Sequence, residues 1–105
     1  MDTREAMNQA QRFTEQVLKE FAPKEIILYG SYAKGTQTKD SDIDIAVFSS
    51  DFTDETKIED MTWLLMKTSG LGYDIQPQPF TLEDYEEPLG LVEEILKTGL
   101  ELQLV

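Results

Sequence analysis

Residues 28–48 read LYGSYAKGTQTKDSDIDIAVF, and this stretch decides the fold. The apolar run Glu25–Tyr29 (EIILY) ends in Gly30-Ser31, and a second run, Ile43–Phe48, is entered through Asp42 and Asp44. Both runs are rich in β-branched and aromatic residues and read as strands. In the second, Ile43, Ile45 and Val47 alternate with Asp42, Asp44 and Ala46, so the two carboxylates project side by side from one face. Ser31–Gln37 between them reads as a helical turn and loop. Two acids on one face of an already acidic chain belong either to a solvated surface or to a site for something cationic.

Working outward, residues 3–21 carry Ala6, Ala10, Phe13, Val17 and Phe21 at helical spacing, with Asp2 or Thr3 as the cap and Pro23 as the stop. A second helix fits 54–69, with Ile58, Met61 and Leu65 as its stripe and Gly70 as its end. Trp63, Phe13, Phe21 and the methionines of that helix read as core or interface. A third strand fits Gly72–Gln76, with Tyr73 and Ile75 on one face and Asp74 and Gln76 on the other. Pro77 and Pro79 limit its far end to a sheet edge. The run 83–87 (EDYEE) reads as a solvated turn, Pro88–Thr98 as a last helix with Leu91, Val92, Ile95 and Leu96 inward, and Leu100, Leu102 and Leu104 as a terminal strand. The expected architecture is one α/β (α+β) domain over residues 1–105, a small mixed sheet flanked by helices that pack on its apolar face.

Composition narrows the chemistry. With no cysteine and no histidine, the chain has no disulfide, no thiolate or imidazole metal ligand and no Ser-His-Asp triad. Chemistry must run on carboxylates, hydroxyls, lysines or arginines, and any metal must be a hard, oxygen-loving one. Residues 1–50 hold 8 acids and 6 bases, whereas 51–105 hold 13 acids and 3 bases. Such a surface repels phosphate backbones, so no direct nucleic-acid partner is expected, although it would attract a basic protein. The apolar runs are too short to span a bilayer, and MDTREAMNQ has neither a secretory nor a mitochondrial signature, so no membrane association and a cytoplasmic location are expected.

An Asp-x-Asp alone is weak evidence in a chain with nine aspartates. A Gly-Ser closing the preceding strand, 11 and 13 residues upstream of the two acids, gives it context. If the third strand lies beside the second in register, Asp74 joins the pair, and three carboxylates on one face are costly unless a cation neutralises them. Mg²⁺ held by carboxylates and substrate phosphates meets that need. Gly30 lets a phosphate approach the main chain, Ser31 would cap the following turn, and Lys34, one turn along, can reach a phosphate as a point charge. The plain alternatives are an exposed acidic turn, an ordinary strand-to-helix corner, a solvent-facing Asp74 and a surface lysine.

The pattern G-S-Y-A-K-G followed by S-D-I-D-I resembles the signature of the DNA polymerase beta nucleotidyltransferase superfamily. The length and layout resemble its minimal nucleotidyltransferases, the antitoxin-like members paired with HEPN-domain toxins. The resemblance implies a nucleotidyltransferase fold, two Mg²⁺ ions, and transfer of a nucleoside monophosphate, AMP from ATP, to an acceptor hydroxyl. It implies that Asp42 and Asp44 hold both metals and that Asp74 holds only the one that activates the acceptor oxygen, helping to take up its proton. Gly30 and Ser31 would cradle the β and γ phosphates, and Lys34 stands where many relatives have arginine, keeping the charge without bidentate geometry. The implied partner is a basic, all-helical HEPN-type toxin. Three functions follow: a protein-modifying AMP transferase, a neutralising module that acts by occlusion, and a small-molecule transferase of the aminoglycoside-modifying kind. Against the third, no added domain to hold a small acceptor is expected, although the acidic surface would suit a cationic one.

Overall fold

Asp2 starts the first helix, α1 (Thr3–Leu18), its carboxylate accepting from the Glu5 amide at 2.8 Å. In the computed structural model, which describes residues 1–71 and 74–104, α1 ends three residues before the expected Phe21. It buries Ala6, Ala10, Phe13 and Val17 along one stripe, as the spacing predicts. Strands β1 (Glu25–Tyr29) and β2 (Ile43–Phe48) form where the sequence places them, joined by the single-turn helix α2 (Ser31–Lys34) and a loop. They pair antiparallel, with Tyr29 opposite Asp44 and Glu25 opposite Phe48.

The second half departs from expectation. Helix α3 spans Lys57–Met66, shorter than 54–69. Its start is delayed because the Thr53 and Thr56 hydroxyls and amides hydrogen-bond one another in a local turn, the kind of backbone competition that these side chains favour. It stops well before Gly70, whose positive φ of 81° serves a later turn. The inward position is Leu64, with Trp63 partly buried and stacked on Phe21 at 4.5 Å. Of the expected stripe, Ile58 and Leu65 face outward, 80% and 42% exposed, while Met61 is partly buried; Met66 is 68% exposed.

Strand β3 is Ile75–Phe80, not 72–76, and it runs through both prolines; the expectations for Gly72 and Tyr73 lie outside the described residues. It lies parallel to β2 at the edge of a four-stranded sheet of order β3-β2-β1-β4. The carbonyls of Asp74 and Phe80 accept from the Ile43 and Ser49 amides at 2.8 and 3.1 Å. Even-numbered residues therefore bond towards β2, and the odd-numbered Pro77 and Pro79 turn their donor-less nitrogens to the free edge, where no ladder bond is lost. The run 83–87 is not a turn: residues 83–86 belong to α4 (Leu82–Glu86), capped reciprocally by Thr81 and Asp84, and Glu87 is its C-cap. The last helix, α5 (Leu91–Thr98), has Gly90 as its N-cap and starts beyond Pro88. The terminal strand β4 is only Leu100–Glu101, though the Leu102 amide still bonds the Ile26 carbonyl at 2.9 Å.

Helices cover both faces of the sheet rather than one. Ile26, Leu28, Ile43, Ile45, Val47 and Ile75 face the buried residues of α1 and α3. On the other side Ile27, Ala46 and Phe48 pack against Val92 and Ile95 of α5 and Tyr85 of α4. The second face carries Asp42 and Asp44 beyond that apolar patch, so the site lies at the uncovered end of a covered face. Among the described residues no helix is long and apolar enough to cross a membrane.

Candidate active site

Two strand ends and one glycine build the site. β1 delivers Tyr29, Gly30 and Ser31 to the sheet end where β2 begins, and the antiparallel register sets Asp44 across from Tyr29. Gly30 holds φ 80° and ψ −151°, a region closed to residues with a side chain. Space demands glycine as well, since a Cβ there would stand 2.5 Å from Asp44 Oδ2. The Asp44 carboxylate is thus seated directly on the backbone of the Gly-Ser corner, with no room between for a side chain. Gly30, rather than Ser31, is the N-cap of α2; Ser31 is its first residue and its carbonyl accepts from Thr36.

The electrostatics follow from the seating. Half-buried Asp44 has its carboxyl raised above the usual range, chiefly by loss of solvent and then by the Asp42 charge. Across the strand pair, burial and the Asp44 charge push the Tyr29 hydroxyl up to about 12. Two carboxylates that repel each other at a partly desolvated sheet end are the donor set that a hard divalent cation favours, and a ligand phosphate could complete it. Among the described residues, no three acidic side chains are gathered into a ready-made set of metal ligands.

The other sequence-predicted residues fall as follows. Asp74 immediately precedes β3, and extending the register Ile43↔Ile75 by one residue sets it beside Asp42, exposed to solvent. Lys34, at the end of α2, is ion-paired with Glu94 of α5. Glu94 was not singled out in the sequence, and no local motif could have found it, because the pair joins residues 60 apart. Both line a cavity of about 190 Å³ with Tyr29 and Gly30.

Comparison with known proteins agrees with this geometry. The model of the nucleotidyltransferase domain family matches residues 10–103. In fold the chain is similar to the crystal structure of a candidate nucleotidyltransferase from Sulfolobus solfataricus, with a TM-score of 0.69 and 16% identity over 94% of this chain and 80% of that one. No curated protein matches the chain. A match over most of the length, on an α+β sheet whose acid pair sits against a Gly-Ser corner, decides the assignment: this chain belongs to the nucleotidyltransferase domain family.

Proposed function

We propose that this nucleotidyltransferase domain moves AMP from ATP to a hydroxyl of a basic partner protein, as the antitoxin of a HEPN-type toxin. The observation that carries the reading is the Asp44 carboxylate seated against Gly30, which joins the acid pair to the Gly-Ser corner in one site. Asp42 and Asp44 would hold divalent cations together with the donor's phosphates. Such ions lower the barrier by neutralising charge on the attacking and leaving oxygens. Gly30, with no Cβ, gives the Asp44 carboxylate its seat beside the corner, and the Ser31 hydroxyl would donate to a phosphate. Asp74, set beside Asp42 by the strand register, would take the proton that leaves the acceptor hydroxyl. The acceptor oxygen forms a bond to the α-phosphorus, the bond to the bridging oxygen breaks, and pyrophosphate departs. The residues' task is chiefly in-line positioning.

Support for a protein acceptor is electrostatic. The 13 acids and 3 bases of residues 51–105 would steer a basic surface to the domain, and a new phosphate on an RNA-binding partner would oppose RNA. One observation favours the second reading, neutralisation by occlusion: Ile58, Leu65 and Met66 expose apolar surface on α3 beside Glu59. Intact-mass analysis separates the two. Incubated with the partner, ATP and Mg²⁺, the wild type should add one or more AMP units, and Asp42→Asn/Asp44→Asn none. Stoichiometric neutralisation with no added mass from any of the four nucleoside triphosphates would establish occlusion instead.

A further inference from the structure

Lys34 is the cation that the Gly-Ser corner places closest along the chain to the phosphate cradle, and its ammonium already has an anion. Lys34 Nζ donates to Glu94 Oε1 at 2.5 Å, across from α2 to α5. Val92 and Ile95 anchor α5 on the sheet, which fixes the helix so that Glu94 faces Lys34. The neighbouring acid, Glu93, pairs within its own helix to Lys97 at 3.3 Å. Of the two acids of α5, Glu94 is therefore the one that lines the cavity shared with Gly30 and Tyr29, beside Leu91, Ile95 and Thr98.

We propose that Glu94 is a built-in competitor for the donor's phosphates and so sets the affinity of the site. Its carboxylate oxygen stands on Lys34 as a phosphate oxygen of the donor would. Loading the donor then means exchanging one anion for another on the same ammonium. The exchange is easy: the two side chains are 41% and 51% exposed, and a solvated pair of this kind shifts an equilibrium by less than about sixfold. A polyphosphate, more highly charged than a carboxylate, wins it; displaced Glu94 then repels the bound phosphates and weakens their hold. Glu94 thus acts through Lys34 and is a positioning residue. The inference rests on the proposed phosphate-binding role of the Gly-Ser corner and Lys34.

Titration calorimetry with Mg²⁺-ATP, and with inorganic tripolyphosphate to remove the nucleoside, tests both layers. Glu94→Gln should bind about three- to tenfold tighter, the scale on which one partly screened charge acts. Glu94→Asp, one methylene short of Lys34, should fall between Gln and wild type. Lys34→Met should bind about tenfold weaker, and Lys34→Met/Glu94→Gln should regain less than the full Glu94→Gln gain, because the competitor's target is gone. Unchanged or weaker binding by Glu94→Gln, with wild type binding well, overturns the inference alone. So does an equal gain in the Lys34→Met background, which would make Glu94 a distant repelling charge. If neither wild type nor Glu94→Gln binds either probe, the proposed function fails and the inference fails with it. A purely structural Glu94 would lower the melting temperature and leave no coupling to Lys34.

Discussion

The two faces of the central sheet are cut from the same strands, one residue out of phase, and have opposite fates. On one, Ile26, Leu28, Ile43, Ile45 and Val47 are all sealed beneath α1 and α3. On the other, burial fades along β2: Phe48 and Ala46 lie under α4 and α5, Asp44 is half-buried, and Asp42 is exposed. The sealed face holds the strands rigid. The graded face gives Asp44 partial desolvation, enough to raise its carboxyl, while leaving the sheet end open. Period-two alternation thus separates what stabilises the protein from what the site does, within a single strand of six residues.

The sharpest way to break this division is to exchange the effects. Ile45→Ala, on the sealed face, should cost about 2–5 kcal/mol, as large-to-small changes in a packed core do, read from denaturant midpoints. Gly30→Ala should cost about 1–3 kcal/mol, from a backbone region that side chains avoid and from the clash with Asp44. Combining it with Asp44→Ala should recover part of that loss, and full additivity would place the clash elsewhere. Asp44→Asn, by contrast, should be neutral or stabilising without metal, by less than about 1 kcal/mol, because it removes a charge that burial and Asp42 both disfavour.

The pH dependence has a definite sign. The folded state raises the Asp44 carboxyl, so it binds that proton more tightly than the unfolded chain does. This group's contribution to stability falls as pH rises from the unfolded towards the folded value and is unfavourable above both. The advantage of Asp44→Asn over wild type should accordingly shrink on acidification and reverse when a divalent cation is added at neutral pH. An advantage that grew on acidification would mean Asp44 accepts a stabilising bond. The smallest effect is spectroscopic. Tyrosinate absorbance should show Tyr29 titrating near 12 in wild type and somewhat lower in Asp44→Asn, still above the ordinary value of about 10 because burial is the larger cause.

How far the sequence could be read follows from where each element's signal resides. β1, α2 and β2 carry their own punctuation: a glycine with nowhere else to go, a clean alternation, and a turn of small polar residues. The acid pair, Gly30 and their shared end of the sheet are legible for the same reason. Beyond residue 50 the signals lie in side-chain hydrogen bonds and strand pairing, some local and some distant in sequence, that hydropathy does not show. Thr53 and Thr56 absorb the start of α3 in a turn, and Leu64 rather than Leu65 faces inward, in the core against which Trp63 also packs. The prolines of β3 mark a sheet edge in the sequence, as the strand order bears out, but that the strand runs through them in parallel register only the pairing reveals. α4 hides in an acidic run because its stabilising contacts, Thr81 with Asp84 and Tyr85 with Glu25 at 2.6 Å, are not visible in hydropathy. The Lys34–Glu94 pair is of the same kind.

The central claim is that Asp42, Asp44 and the Gly-Ser corner form one metal-dependent triphosphate site. Calorimetric titration with ATP, with and without Mg²⁺, of the wild type and of Asp42→Asn/Asp44→Asn tests it most directly. The account expects Mg²⁺-dependent binding by the wild type, and its loss in a double variant that melts no lower in the absence of metal. Equal binding by both proteins, or binding by the wild type that ignores Mg²⁺, would contradict it.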